Sequence, residues 1–208
     1  MNVVFDPTWT SRRLAHVGRD ISFAWLTRNR FPLPSRLFLS RDSAGGLLER
    51  SWLGVQSYEK GRSKIAVAVE DCELRCRLNT PTGTLIHAPA SFEDYTALGV
   101  LCHEVGHLVD YSLNPLTYSM RKLNGFQSLV DEEVEISRAE HNVRESFAES
   151  IRLFITNPDL LLRGRPRRWD HLVYDLKLKP LHDTRWQTVL QKTPRYVHQA
   201  VERWLRIE

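Results

Sequence analysis

The chain has 208 residues, a mass of 24.2 kDa and a net charge of +4, with 42% hydrophobic and 26% charged residues. That balance describes a globular chain able to bury a core, and three cysteines (Cys72, Cys76 and Cys102) are too few and too odd in number for a disulfide scaffold. No apolar run reaches membrane-spanning length, and the N-terminus MNVVFDPTWTSRR lacks the pattern of a secretory signal, so the expectation is a cytoplasmic protein without membrane contact.

Leu14, Val17, Ile21 and Trp25 recur at helical spacing and predict a helix over about residues 9–28, capped by Thr8 or Thr10 and stopped by Phe31-Pro32-Leu33-Pro34. Short β-like runs follow at 36–40, 52–58 and 64–70, the last alternating Ile65, Val67 and Val69. Residues 79–83 predict a turn before a strand at 84–88 (TLIHA). The next helix is predicted over about 92–112, with Ser91 as N-cap, Glu93 and Asp94 in its first turn, and Leu98, Leu101, Val105 and Leu108 as its apolar stripe. Residues 113–130 read as irregular or partly helical. A strong helix follows over about 139–156 until Asn157-Pro158, and shorter ones at 159–163, 168–176 and 194–206. This order gives an α+β class in one domain: a helix and small sheet in 1–90, two central helices in 91–158 and a basic helical tail in 159–208.

The charge is uneven. Residues 163–208 hold 11 Lys and Arg against 5 Asp and Glu, densest at Arg163, Arg165, Arg167 and Arg168. Such a cluster contacts nucleic acid or an acidic protein surface, or, more commonly, marks a solvated helix boundary. Cys72 and Cys76 lack a companion pair at metal-ligand spacing and read as small residues in a strand or loop, and Cys102 as a buried helix residue.

The densest chemical signal is His103-Glu104-Val105-Gly106-His107, an HExxH sequence inside a predicted helix. With 8 His and 14 Glu in the chain, about 0.02 chance matches are expected, so the motif outweighs composition. Histidines four apart share a helix face and reach one metal ion, and Glu104 stands where it can act on a water beside that ion. A catalytic zinc site needs a third ligand. An extended motif with Gly at 110 and His at 113 is absent, since those positions are Asp110 and Leu113. The better source is HNVRESFAESIRLFITNP, in which His141, Glu145 and Glu149 follow at four-residue steps on one face while Phe147, Ile151 and Phe154 lie opposite. A helix turning two acids toward an HExxH helix is the gluzincin arrangement. Glu145 is the expected third ligand, and Glu149 the expected acceptor of a ligand histidine's outer N–H. Asp110 is expected to bond to a ligand or to the following loop, or equally to make a local bond as a residue at the helix C-terminus, and Gly106 to let the ligand helix approach its neighbour.

HEVGHLVDY at 103–111 together with ESFAESIRLF at 145–154 resembles the catalytic domain of anthrax lethal factor and its relatives, including small phage-encoded metallopeptidases. The resemblance covers about 50 residues and implies a zincin-like fold, with a small mixed sheet packed on the HExxH helix. It also implies that His103, His107 and Glu145 bind zinc, that Glu104 is the general base and that Glu149 supports the site. That family carries a tyrosine seven residues before its glutamate ligand, thought to steady the oxyanion, where this chain has Arg138. His141 or Arg138 is the expected replacement, with Tyr111, Tyr118 and Tyr174 as more distant ones. Leu85, Ile86 and His87 are expected to form the edge strand along which an extended peptide lies, although a solvent-facing His87 is the plainer reading.

The expected function is therefore a zinc metalloendopeptidase that hydrolyses polypeptide through a zinc-activated water, with Glu104 as general base. A nucleic-acid-associated or regulatory binding protein with a structural or vestigial zinc site is the alternative, motivated by the basic tail and a pI near 9.1.

Overall fold

The computed structural model describes residues 11–40, 53–59, 62–80, 83–86, 94–113, 126, 129 and 142–181. It is an α+β arrangement, mostly helical, with one small three-stranded sheet. Among the described residues no helix is long and apolar enough to cross a membrane.

Helix α1 (Ser11–Arg28) buries Leu14, Ile21 and Trp25 as the periodicity predicts. It closes before the prolines are reached. Phe31 N–H donates to Leu26 C=O and Arg30 N–H to Thr27 C=O, with Arg30 at φ 61°, a Schellman turn in which arginine occupies the position that usually favours glycine. Trp25 Nε1 and Asn29 Nδ2 both donate to the Lys179 carbonyl, which ties the segment after the last helix to this end of α1.

Strands β1 (Arg36–Ser40), β2 (Gly54–Glu59) and β3 (Arg62–Ala68) form a sheet in the order β1-β3-β2, with β1 parallel and β2 antiparallel to β3. Ile65 and Val67 join Leu37 and Leu39 on the face toward the helices, whereas Ala66 and Ala68 pack with Phe38 and Val55 on the other. The expected strand through residue 70 stops at Ala68. Val69 instead begins α2 (Val69–Cys76), where Glu70 and Asp71 favour a helix N-terminus, so Cys72 and Cys76 are helical and not in a strand or loop. Strands β4 (Arg77–Thr80) and β5 (Gly83–Ile86) make a separate antiparallel two-stranded pair, which gives residues 79, 80 and 83 of the expected turn to strands, while residues 81 and 82 lie outside the described residues.

Helix α3 (Ala97–Leu113) starts later than expected, with Thr96 as its cap, while Ser91 lies outside the described residues. Gly99 N–H donates to Thr96 Oγ1 at 3.2 Å, and Asp94 Oδ1 accepts from both the Thr96 N–H and its hydroxyl. Helix α4 (Val143–Thr156) likewise starts later than residue 139. Asn142 Oδ1 accepts from the N–H groups of Arg144 and Glu145, each at 3.0 Å. Asn157 ends α4 and caps α5 (Pro158–Gly164), and α6 (Pro166–Asp170) runs into a π-helical turn at His171–Asp175. The predicted helix at 194–206 and most of 113–130 lie outside the described residues.

The core lies between α1, α3 and α4, with β2 and β3 against α3. At the α3–α4 crossing a Cβ on Gly106 would stand 2.6 Å from the Ala148 Cα. Only glycine allows that approach, which brings the two helices to main-chain contact.

Candidate metal centre

Two helices build the site. From α3, His103 and His107 project one turn apart; from α4, the first-turn Glu145 faces them. His103 Nε2 lies 3.1 Å from His107 Nε2 and 2.9 Å from Glu145 Oε2, and His107 Nε2 lies 3.4 Å from Glu145 Oε1. These three residues are positioned to bind a metal ion. A tetrahedral ion with ligand bonds of 2.0–2.2 Å separates its donor atoms by about 3.3–3.6 Å, close to the spacing found.

The hydrogen bonding makes the same point. His103 Nδ1 bonds to Glu149 Oε1 at 2.8 Å, an arrangement in which the ring donates its outer N–H. Its inner nitrogen then presents a lone pair to a carboxylate and to a second imidazole. A cation resolves that crowding of electron pairs, as does a proton. Burial disfavours charge on His103, but the bonds to Glu145 and Glu149 outweigh it and push the ring pKa up to about 10. Burial likewise opposes ionisation of the two glutamates. His103 and His107 nonetheless hold Glu145 far below the usual carboxylate range, and Arg152 together with His103 holds Glu149 at about 2. The Glu149 carboxylate pairs with the fully buried guanidinium of Arg152, whereas Glu104 and Glu145 interact with the two histidines, so positive charge is favoured between them.

Glu104 is buried, and burial raises its pKa, with His107 and His103 acting in the opposite sense. The Gln56 N–H of β2 bonds to its carboxylate, and a Cβ on Gly54 would stand 2.8 Å from Glu104 Oε1. The main chain of β2 therefore lies directly against this carboxylate. Residue spacing alone gives β2 no role at this site. The available signal was a glycine within a strand, which often marks a close approach by another group.

Glu149 meets His103 as the helical spacing predicts, and its second oxygen lies 2.6 Å from Arg152 Nε. Asp110 is buried and its carboxylate stands 3.7 Å from Arg144 Nε, across the two helices. His107 Nδ1 has no hydrogen-bond partner among the described residues, so Asp110 does not orient that ring through this nitrogen. Leu85 and Ile86 lie on β5, in the two-stranded pair and not in the sheet that borders Glu104, while His87 is outside the described residues.

Arg138, Tyr118 and His141, the last expected as a catalytic group, also lie outside the described residues. Tyr111 stacks on Tyr58 of β2 at 3.5 Å between ring centroids, and Tyr174 is exposed. Cys72 and Cys102 are buried free thiols whose pKa values burial drives upward, which makes them poor nucleophiles. In the basic cluster Arg163 and Arg167 are exposed, whereas Arg165 and Arg168 are buried. Neither protein-family models, nor curated proteins, nor solved structures give a match to this chain.

Proposed function

We propose that the chain is a zinc-dependent metalloendopeptidase, gluzincin in its ligand set and zincin-like in its fold, acting on polypeptide. The observation that carries this reading is the convergence of His103, His107 and Glu145 from two helices, with Glu104 buried beside them and Glu149 on the outer nitrogen of His103. The resemblance of both helices to the lethal factor catalytic domain supports it.

His103, His107 and Glu145 would hold the zinc. When bound, zinc polarises a carbonyl and acidifies water. Glu104 takes a proton from the attacking water and delivers it to the leaving amine, so the carboxylate ends each cycle as it began. Burial, which raises its proton affinity, suits a group that must first accept and then donate. The Gln56 N–H holds the carboxylate in place.

Metal content and peptide cleavage test the reading together. About one zinc per chain is expected in the wild type and in Glu104→Gln, and much less in Glu145→Ala, with cleavage of a mixed peptide library by the wild type alone. A wild type that takes up no zinc on titration overturns it. Salt-sensitive DNA binding without hydrolysis would favour the binding-protein reading, for which Arg163 and Arg167 are the exposed members of the cluster.

A further inference from the structure

We propose that Arg152 is a positioning residue for the metal centre, fixing the Glu149 carboxylate and through it the ring of His103. The inference rests on the metal-site reading above and extends it to a side chain that touches no ligand atom in that site.

Arg152 follows Glu149 by three residues on α4 and is 1% exposed. Its Nε lies 2.6 Å from Glu149 Oε2, and Glu149 Oε1 lies 2.8 Å from His103 Nδ1. One carboxylate thus spends its two oxygens on two different partners. Its plane is fixed by the pair, and the imidazole that bonds in that plane cannot rotate without breaking a bond. His103 Nε2 is consequently aimed at Glu145 and His107 from its far side. Asp94, packed ahead of α3, adds a second negative charge facing the guanidinium. Arg152 is therefore held between the start of α3 and the middle of α4.

A buried ion pair is a weak source of stability, since desolvation offsets much of its attraction. Orientation is the role in which a planar, directional guanidinium differs from an apolar side chain of the same volume, and from lysine. Outer hydrogen bonds of this kind typically change metal affinity by about 10- to 100-fold.

The test is a double-mutant cycle on zinc affinity, measured by competition with a chromogenic chelator in the wild type, Arg152→Met, Glu149→Gln and the double variant. Each single change is expected to weaken zinc binding by about 10- to 100-fold, with the double variant close to the weaker single, because both act through one ring. The cobalt(II)-substituted Arg152→Met protein should also show shifted visible bands, which a change in folding stability alone would not produce. Wild-type affinity in Arg152→Met, or a double variant whose loss is the product of the two single losses, overturns the proposal. Should Arg152→Met fail to fold, Arg152→Lys in both backgrounds completes the same cycle. A wild type that binds no zinc removes the metal reading itself, a result distinct from wild-type zinc binding that Arg152 does not affect.

Discussion

Two histidines among the described residues each hold a carboxylate on Nδ1, and only one of them belongs to a candidate metal centre. His103 bonds to Glu149 of a different helix at 2.8 Å, and that carboxylate is buried. His171 bonds to Asp175 of its own π-helical turn at 2.7 Å, and that carboxylate is 68% exposed. The rings differ most in their surroundings. His103 Nε2 faces a glutamate and a second imidazole, whereas the His171 ring packs 5.7 Å from Phe126. A histidine–carboxylate pair is thus an orienting device in either place, and it supports metal binding only where other donors converge on the remaining nitrogen.

Exchanging each histidine for alanine breaks the comparison most sharply. His103→Ala is expected to abolish stoichiometric zinc binding by mass spectrometry, while His171→Ala keeps about one zinc per chain and lowers only the melting temperature. Glu104→Gln comes next: peptide turnover should fall by about 10²- to 10⁴-fold with zinc content unchanged, and zinc loss in that variant would show Glu104 to be structural. Gly106→Ala pushes a methyl group into the Ala148 main chain and should destabilise by about 1–3 kcal/mol in denaturant melts. Zinc affinity should weaken with it, since the two ligand helices must part. Asn142→Ala removes the cap of α4 at a cost of about 1 kcal/mol, read in the same melts. The smallest effect belongs to Asp175→Ala, within about 0.5 kcal/mol, because its carboxylate is solvated.

Much of the candidate centre was legible because helical geometry is short-range. Spacings of four residues put His103 with His107 and Glu145 with Glu149, and Gly106 between the histidines marked the close helix crossing. Contacts that depend on where the sheet docks were not legible. Gly54 and Gln56 reach Glu104 only because β2 is laid across α3, and beyond the glycine at 54, which marks a close approach without naming its partner, no local pattern in residues 54–59 encodes that. Arg152 was hidden for a related reason: an arginine on an amphipathic helix ordinarily points to solvent, and its burial depends on Glu149 and Asp94 meeting it from two elements. Local competition explains the boundary errors at Val69, Thr96 and Asn142, where an acidic first turn or a capping side chain one or two turns along won over the apolar periodicity.

The main-chain contact between Gly106 and Ala148 also sets a gauge. Because the ligand-bearing helices already touch, donor atoms 2.9–3.4 Å apart cannot be drawn closer by the backbone, and spreading them means breaking a packed crossing. Calcium, which prefers six to eight oxygen donors at 2.3–2.6 Å, is disfavoured on both size and ligand type, whereas small borderline ions are not. Selection among ions that His103, His107 and Glu145 would hold is accordingly limited by a glycine that offers no donor of its own.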